Sequence, residues 1–271
     1  MHIPSFIYLY DGGKTESLDL KEILRYLKNI FKKSKIQIRQ EFIRFYLSSK
    51  LISEEKEKEI NHLAKEMAKI KVRVIDRKDT SFEPLPGEIE YEKKRLSELE
   101  SKSFGVLYNG FELVTIFSKL INKEEFNFDH CHIIFTNQLF GTWDEYDMRW
   151  HARVSIYSFP SIISTTGIVE APAKPREFYL KRRLGIDLYR LKEEFKGRFI
   201  DYNDQRMTEI MKGYVLQALF YHMTGDPFCE HKNCRFYNAH WQEEIINAQL
   251  SANIEFCERH KKIINQLANE I

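Results

Sequence analysis

The feature that most constrains this chain is a set of sulfur and imidazole donors crowded toward its carboxyl end. Cys229-Glu230-His231-Lys232-Asn233-Cys234 forms a C-x4-C knuckle, and Phe256-Cys257-Glu258-Arg259-His260 adds a C-x2-H pair. Zinc favours tetrahedral thiolate and imidazole ligation, and a structural site closes all four positions with protein groups, sets of three cysteines and one histidine included. The spacing therefore predicts one structural Zn2+ held by Cys229, Cys234, Cys257 and His260, with His231 as the alternative fourth donor. Cys257 and His260, three apart, share the face of a helix whose apolar positions continue through Ile264 and Leu267, so the metal docks that helix onto the knuckle. With apparent binding energies on the order of 10–16 kcal/mol, removing such an ion unfolds the subdomain it staples. The competing reading is ordinary buried cysteines beside a surface histidine.

Composition narrows the setting. Four cysteines, three of them in this segment, are more consistent with thiols and metal ligands in a reducing compartment than with disulfides, and the solitary Cys131 reads as a buried thiol. The opening Met1-His2-Ile3-Pro4-Ser5-Phe6 carries no basic n-region or apolar run, and charged residues interrupt every hydrophobic stretch. These features predict a cytoplasmic chain with no membrane partner. Lys and Arg (42) nearly balance Asp and Glu (40), so bulk charge argues against a nucleic-acid partner. At 271 residues and 43% hydrophobic, the chain has material for a substantial core, and its 30% charged residues resemble the surfaces of heat-adapted proteins.

The pattern along the chain predicts a strand at Phe6–Tyr10 ended by Asp11-Gly12-Gly13, then a helix with Leu20, Ile23, Leu24, Leu27, Ile30 and Phe31 on one face. Ile36, Ile38 and the aromatic stretch near Phe42 suggest a second strand. A strand–helix–strand opening favours an α/β sheet. Ile60, Leu63, Ala64 and Met67 mark another helix, followed by strand candidates at Val72–Ile75, Gly105–Tyr108, His132–Phe135 and Val154–Phe159. Residues 79–103, with Pro84 and Pro86 and a charged run from Glu88, read as a linker or an inserted, exposed helix. The expectation is a single α/β (α+β) unit over residues 1–271, with residues 203–271 as a helical, metal-stapled C-terminal subdomain.

Before the knuckle, Asn203 or Asp204 can cap a helix with Met207, Met211, Tyr214, Ala218 and His222 along an apolar stripe, ended by Gly225. A helix that stops at glycine just ahead of C-x4-C, with a second donor pair farther on, resembles the archaemetzincins. Those are zinc metallopeptidases with the pattern H-E-x-x-H-x-x-G-x-x-H-C-x4-C-x-M and a later C-x-x-C. Anchored on Cys229 and Cys234, the resemblance places Gly225 on the family's glycine and His222 on its second metal-binding histidine. Ala218 takes the first histidine's place, Leu219 that of the general-base glutamate, Phe228 that of the third histidine and Phe236 that of the Met-turn methionine; His260 replaces the last cysteine. A closer resemblance, over roughly residues 130–265, is to an archaeal family of uncharacterised proteins labelled metallopeptidases. It is carried by Ile168-Val169-Glu170-Ala171-Pro172-Ala173-Lys174-Pro175-Arg176-Glu177 and by Phe228-Cys229 through Asn238-Ala239-His240-Trp241-Gln242-Glu243-Glu244. These resemblances imply a zincin-like mixed sheet with packed helices, and a hydrolytic site that has lost its standard residues.

A second metal would need ligands from elsewhere. His222 and His240 are the candidates, with Glu243 or Glu244 at i, i+3 and i, i+4 from His240, and Glu170 completes the catalytic candidates. His222 reads equally as a core histidine, and His240-Trp241-Gln242-Glu243 as the start of a helix packing Trp241, Ile245 and Ala248 inward. The segment Ser164–Arg176, with Gly167, Pro172 and Pro175, is expected as a loop or extended edge that binds peptide by strand addition. Arg149-Trp150-His151-Ala152-Arg153 reads as a half-exposed strand or as a base-stacking surface. The leading expectation is a peptide-binding pseudo-enzyme. A hydrolase with a metal site rebuilt around His222 and His240, and a nucleic-acid-associated zinc-knuckle protein, are the alternatives.

Overall fold

Every position of the first strand is apolar or aromatic, so both of its faces have to be covered. The computed structural model, which describes residues 1–12, 17–49, 52–78, 82–97, 105–251 and 253–269, shows how. Its strands are Phe6–Tyr10 (β1), Lys35–Arg39 (β2), Lys71–Val72 (β3), Leu107–Asn109 (β4), His130–Thr136 (β5), Leu139–Asp144 (β6), Arg149–Arg153 (β7), Ser155–Ile156 (β8) and Ser161–Ser164 (β9). Its helices are Leu20–Ile30 (α1), Phe42–Ser48 (α2), Ser53–Lys69 (α3), Pro86–Ser97 (α4), Gly110–Leu120 (α5), Gly167–Glu170 (α6), Arg176–Arg183 (α7), Leu188–Glu194 (α8), Met207–Thr224 (α9), Gln242–Ile246 (α10) and Glu258–Asn269 (α11).

The fold is mixed α/β with two sheets. One runs β2-β1-β5-β9-β8, with β8 antiparallel to β9 and the other pairings parallel; the second runs β3-β4-β6-β7, with only β4 and β6 parallel. Strand alternation divides the core. Ile7 and Leu9 enter a buried cluster with Ile133, Phe135, α1 and α9, whereas Tyr8 and Tyr10 enter another with Ile134, Ile162, Phe140 and helices α2 to α5. The first cluster also holds Cys234, Phe236, Ile264 and Leu267, so the C-terminal segments share a core with the first strand.

α1 forms as the periodicity predicts. The Asp19 side chain caps it by accepting from Lys21 and Glu22 N–H, and Leu20, Ile23, Leu27 and Ile30 are its buried face. Four expectations are corrected. The aromatic stretch from Phe42 is the helix α2, capped by the Glu41 carboxylate, rather than part of β2. The Val72–Ile75 strand is confined to the pair β3, and the Val154–Phe159 strand to the two residues of β8. The charged run beginning at Glu88 is helical, but one of its faces is buried. Glu92, Arg95 and Leu96 of α4 are buried at 0%, 4% and 2%, because Tyr108 and Lys71 reach in to satisfy Glu92. Of the span 79–103, residues 79–81 and 98–103 lie outside the described residues, as does Gly13 of the first turn. No helix among the described residues is long and apolar enough to cross a membrane.

Candidate metal centre and cleft

Backbone hydrogen bonds fold the knuckle. Cys229 N–H donates to Phe236 O (2.9 Å), Cys234 N–H to His231 O (2.9 Å) and Tyr237 N–H to Cys234 O (2.8 Å), which turns both sulfurs toward one point. Lys261 N–H donates to Cys257 O at the start of α11, so His260 follows on its first turn. Cys229 Sγ lies 3.8 Å from Cys257 Sγ, and His260 Nδ1 lies 3.2 Å from Cys257 Sγ and 3.7 Å from Cys234 Sγ. All four donor atoms fall within 4.8 Å of one another. Bonds of about 2.3 Å to sulfur and 2.0–2.1 Å to nitrogen give a tetrahedron with edges of about 3.8 and 3.5 Å, so the donors already stand near the corners of such a shell. The cysteines are free thiols, and a separation of 3.8 Å is far from a disulfide bond of about 2.05 Å.

Electrostatics points the same way. Burial pushes the Cys234 thiol up to about 12 and raises Cys229, which also faces Cys257. At Cys257 burial also raises the thiol, but the backbone N–H of His260 and the neighbouring thiols outweigh it and the group lies below its ordinary value. Three thiols around one point cannot all ionise without a compensating cation. Burial lowers His260, favouring the neutral ring that has a lone pair to give. Its imidazole is stacked on Phe236, 4.5 Å between centroids at 23°, which fixes the direction of Nδ1.

Next to this centre lies a cleft of about 530 Å³ between β8 and α9. Ser164 N–H donates to Val154 O, so the alternation of an antiparallel ladder turns the main-chain groups of Ser155 away from β9. Tyr214, Gln217 and Tyr221 of α9 form the opposite wall, and Tyr237 to His240, just past the knuckle, a third. Gln217 ties these walls together. Its Oε1 accepts from Tyr157 OH at 2.5 Å, and its Nε2 donates to Tyr237 O at 3.2 Å and Arg235 O at 3.4 Å. Gln217 and Tyr157 carry no sequence signal, since a glutamine on an apolar helix and a tyrosine within the Val154–Phe159 strand candidate match no motif.

The other site residues are dispersed. α9 is buried on all sides rather than along one stripe, with Ala218 and Leu219 both at 0% exposure. It starts at Met207, and Gly225 terminates it in the left-handed region (φ 75°). His222 donates from Nε2 to Phe128 O at 2.8 Å and packs on Phe159, and burial lowers its pKa. His240 is exposed at the cleft rim. Glu244 accepts from the N–H groups of His240 and Trp241 at the head of α10, Glu243 pairs with Arg198, and Glu170 accepts from Tyr202 OH. The segment Ser164–Arg176 is not an extended edge: residues Gly167–Glu170 are helical, Ala173 bridges Trp241, and only Ala171 and Pro172 reach the cleft. The free edge is β8 instead. Among the described residues, one other group of metal-type donors converges, Asp144, Asp147 and His151 at the β6–β7 turn. There Asp144 caps the turn by accepting from Tyr146 and Asp147 N–H.

Fold and site together define a mixed α/β protein with a three-cysteine, one-histidine centre able to hold a metal ion. A model of the "Probable metallopeptidase family (DUF6775)" matches residues 3–267, and the chain belongs to that family. No curated protein and no solved structure matches it.

Proposed function

We propose that this chain is a zinc-binding, zincin-like member of its family that has kept a peptide cleft and lost the standard hydrolytic site, acting as a cytoplasmic peptide-binding pseudo-enzyme. Zinc suits the donor set, which combines thiolates with one imidazole in tetrahedral array. With protein groups at all four corners, the metal contributes stability and leaves no open position for water.

The carrying observation is the cleft wall formed by α9. Where the archaemetzincin pattern has its first histidine and its general base, Ala218 and Leu219 are sealed in the core, and the helix offers the cleft Tyr214, Gln217 and Tyr221. What supports peptide binding is the edge of β8 along the same cleft, whose outward main-chain groups can pair with an extended ligand.

The test is a screen of an extended-peptide library by fluorescence anisotropy, with mass spectrometry of every bound peptide. Peptides that bind and are recovered intact are the expected result. Cleavage that depends on His222 and His240 would replace this reading with the hydrolase one, and a library without a single binder would remove the cleft's proposed role.

A further inference from the structure

Among the described residues lining the cleft, Arg153 is the one permanent cation and none is a carboxylate. Arg153 is half-buried, and its Nε donates to Thr142 Oγ1 at 2.8 Å, which orients the guanidinium while leaving four N–H donors. The other buried or half-buried arginines described each hold a carboxylate: Arg39 holds Glu125, Arg95 Glu92, Arg206 Asp204 and Arg235 Glu209. Arg153 holds none among the described residues; Asp144 feels its charge from beyond ion-pair distance. Withdrawing a guanidinium from water without a counter-ion is unfavourable, and a planar fork matches a carboxylate in two parallel hydrogen bonds. An aromatic group lies along the same wall. Tyr157 stands 6.4 Å from Tyr221 and 5.8 Å from Phe228, ring to ring.

Resting on the peptide-binding reading above, we propose that the cleft selects peptides with an Asp or Glu side chain, received by Arg153, followed or preceded by an apolar or aromatic side chain held against Tyr157, Tyr221 and Phe228. The carboxylate comes from a side chain rather than a chain end. A strand added along Ser155–Ile156 sets its side chains about 5 Å from those directly opposite and 7–8 Å from the diagonal ones, within reach of a guanidinium. Arg153 and Tyr157 lie on either side of Ser155–Ile156, so both ligand side chains belong to one bound strand.

The experiment compares C-terminally amidated fluorescein peptides from the library screen, each with its acidic residue or the Asn or Gln isostere, on the full chain. The acidic form binds about tenfold tighter. Arg153→Gln erases that preference, Arg153→Lys keeps part of it, and Thr142→Val weakens acidic binding without removing the charge; unchanged thermal unfolding shows that each variant folds. Equal binding of acid and isostere, or a preference that survives Arg153→Gln, overturns the proposal while leaving peptide binding intact. A preference seen only with a free C-terminus moves the carboxylate to the chain end, and displacement by single-stranded DNA moves the anion subsite to nucleic acid; either result also overturns it. A library without binders removes both readings together.

Discussion

Stripping the metal from the C-terminal centre should destabilise the entire core and not only the knuckle. Cys234, Phe236, His260, Ile264 and Leu267 are at most 7% exposed, and all but His260 belong to the buried cluster that contains Ile7, Leu9 and α9. Without a cation, Cys234 is a protonated thiol, held up to about 12 by burial, and the attraction joining α11 to the knuckle disappears. A ligand present at about a thousand times its dissociation constant contributes about 4 kcal/mol to the folded state. For domains of about 150–250 residues each kcal/mol moves Tm by about 2–4 °C, so for this chain chelation should lower Tm by about 8–16 °C. Differential scanning calorimetry, with and without a membrane-permeant chelator and after zinc is returned, reads the change. Because the core is shared, the transition should stay single and simply shift. Metal-free protein melting within about 2 °C of the loaded form, or two separate transitions, would refute the reasoning.

Glu92→Ala removes the carboxylate that Lys71 Nζ, Arg95 Nε and Tyr108 OH all approach within 2.8 Å, leaving buried positive charge uncompensated. Urea unfolding should show a loss of about 3–5 kcal/mol, and a loss under 1 kcal/mol would contradict the buried network. His132, held between Tyr10 OH and Glu125 O, is pushed by burial down to about 4. Its folded value lies below the unfolded value of about 6.5, so the unfolded state binds more protons between the two. Stability should therefore fall by about 3 kcal/mol as pH drops from about 6.5 to 4, with the wild-type minus His132→Gln difference carrying the slope. Cys131, 1% exposed and with its thiol raised by burial alone, should resist maleimide until global unfolding, whereas the other three thiols react once the metal is chelated; mass spectrometry counts the adducts.

The parts of the fold visible in the sequence are those where one physical signal dominates. The run Phe6–Tyr10 is β1 because five apolar or aromatic residues ended by a turn signal suit a strand covered on both faces, and Gly225 ends α9 because a left-handed residue is least strained as glycine. The four side chains that converge near the C-terminus, Cys229, Cys234, Cys257 and His260, stand out in the sequence because metal-ligand chemistry restricts residue type and spacing. β6 was hidden because Gly141 and Thr142 look like a turn, yet Gly141 sits mid-strand where a Cβ would stand 2.6 Å from His151 O. α2 was hidden because its aromatic residues favour strands; tertiary packing of Phe42 and Ile43 decides the matter. The cleft was the least legible part. Its walls come from segments distant in sequence, and the property that marks Arg153, the lack of a carboxylate partner among the described residues, exists only in three dimensions.

Metal analysis of protein purified without added metal, coupled to X-ray absorption at the zinc edge, tests the central claim most directly. The account predicts one zinc per chain in a shell of three sulfurs at about 2.3 Å and one nitrogen at about 2.0 Å. Metal-free chains with Cys229 and Cys257 oxidised to a disulfide, or two zinc ions with one in a nitrogen- and oxygen-rich shell, would contradict it.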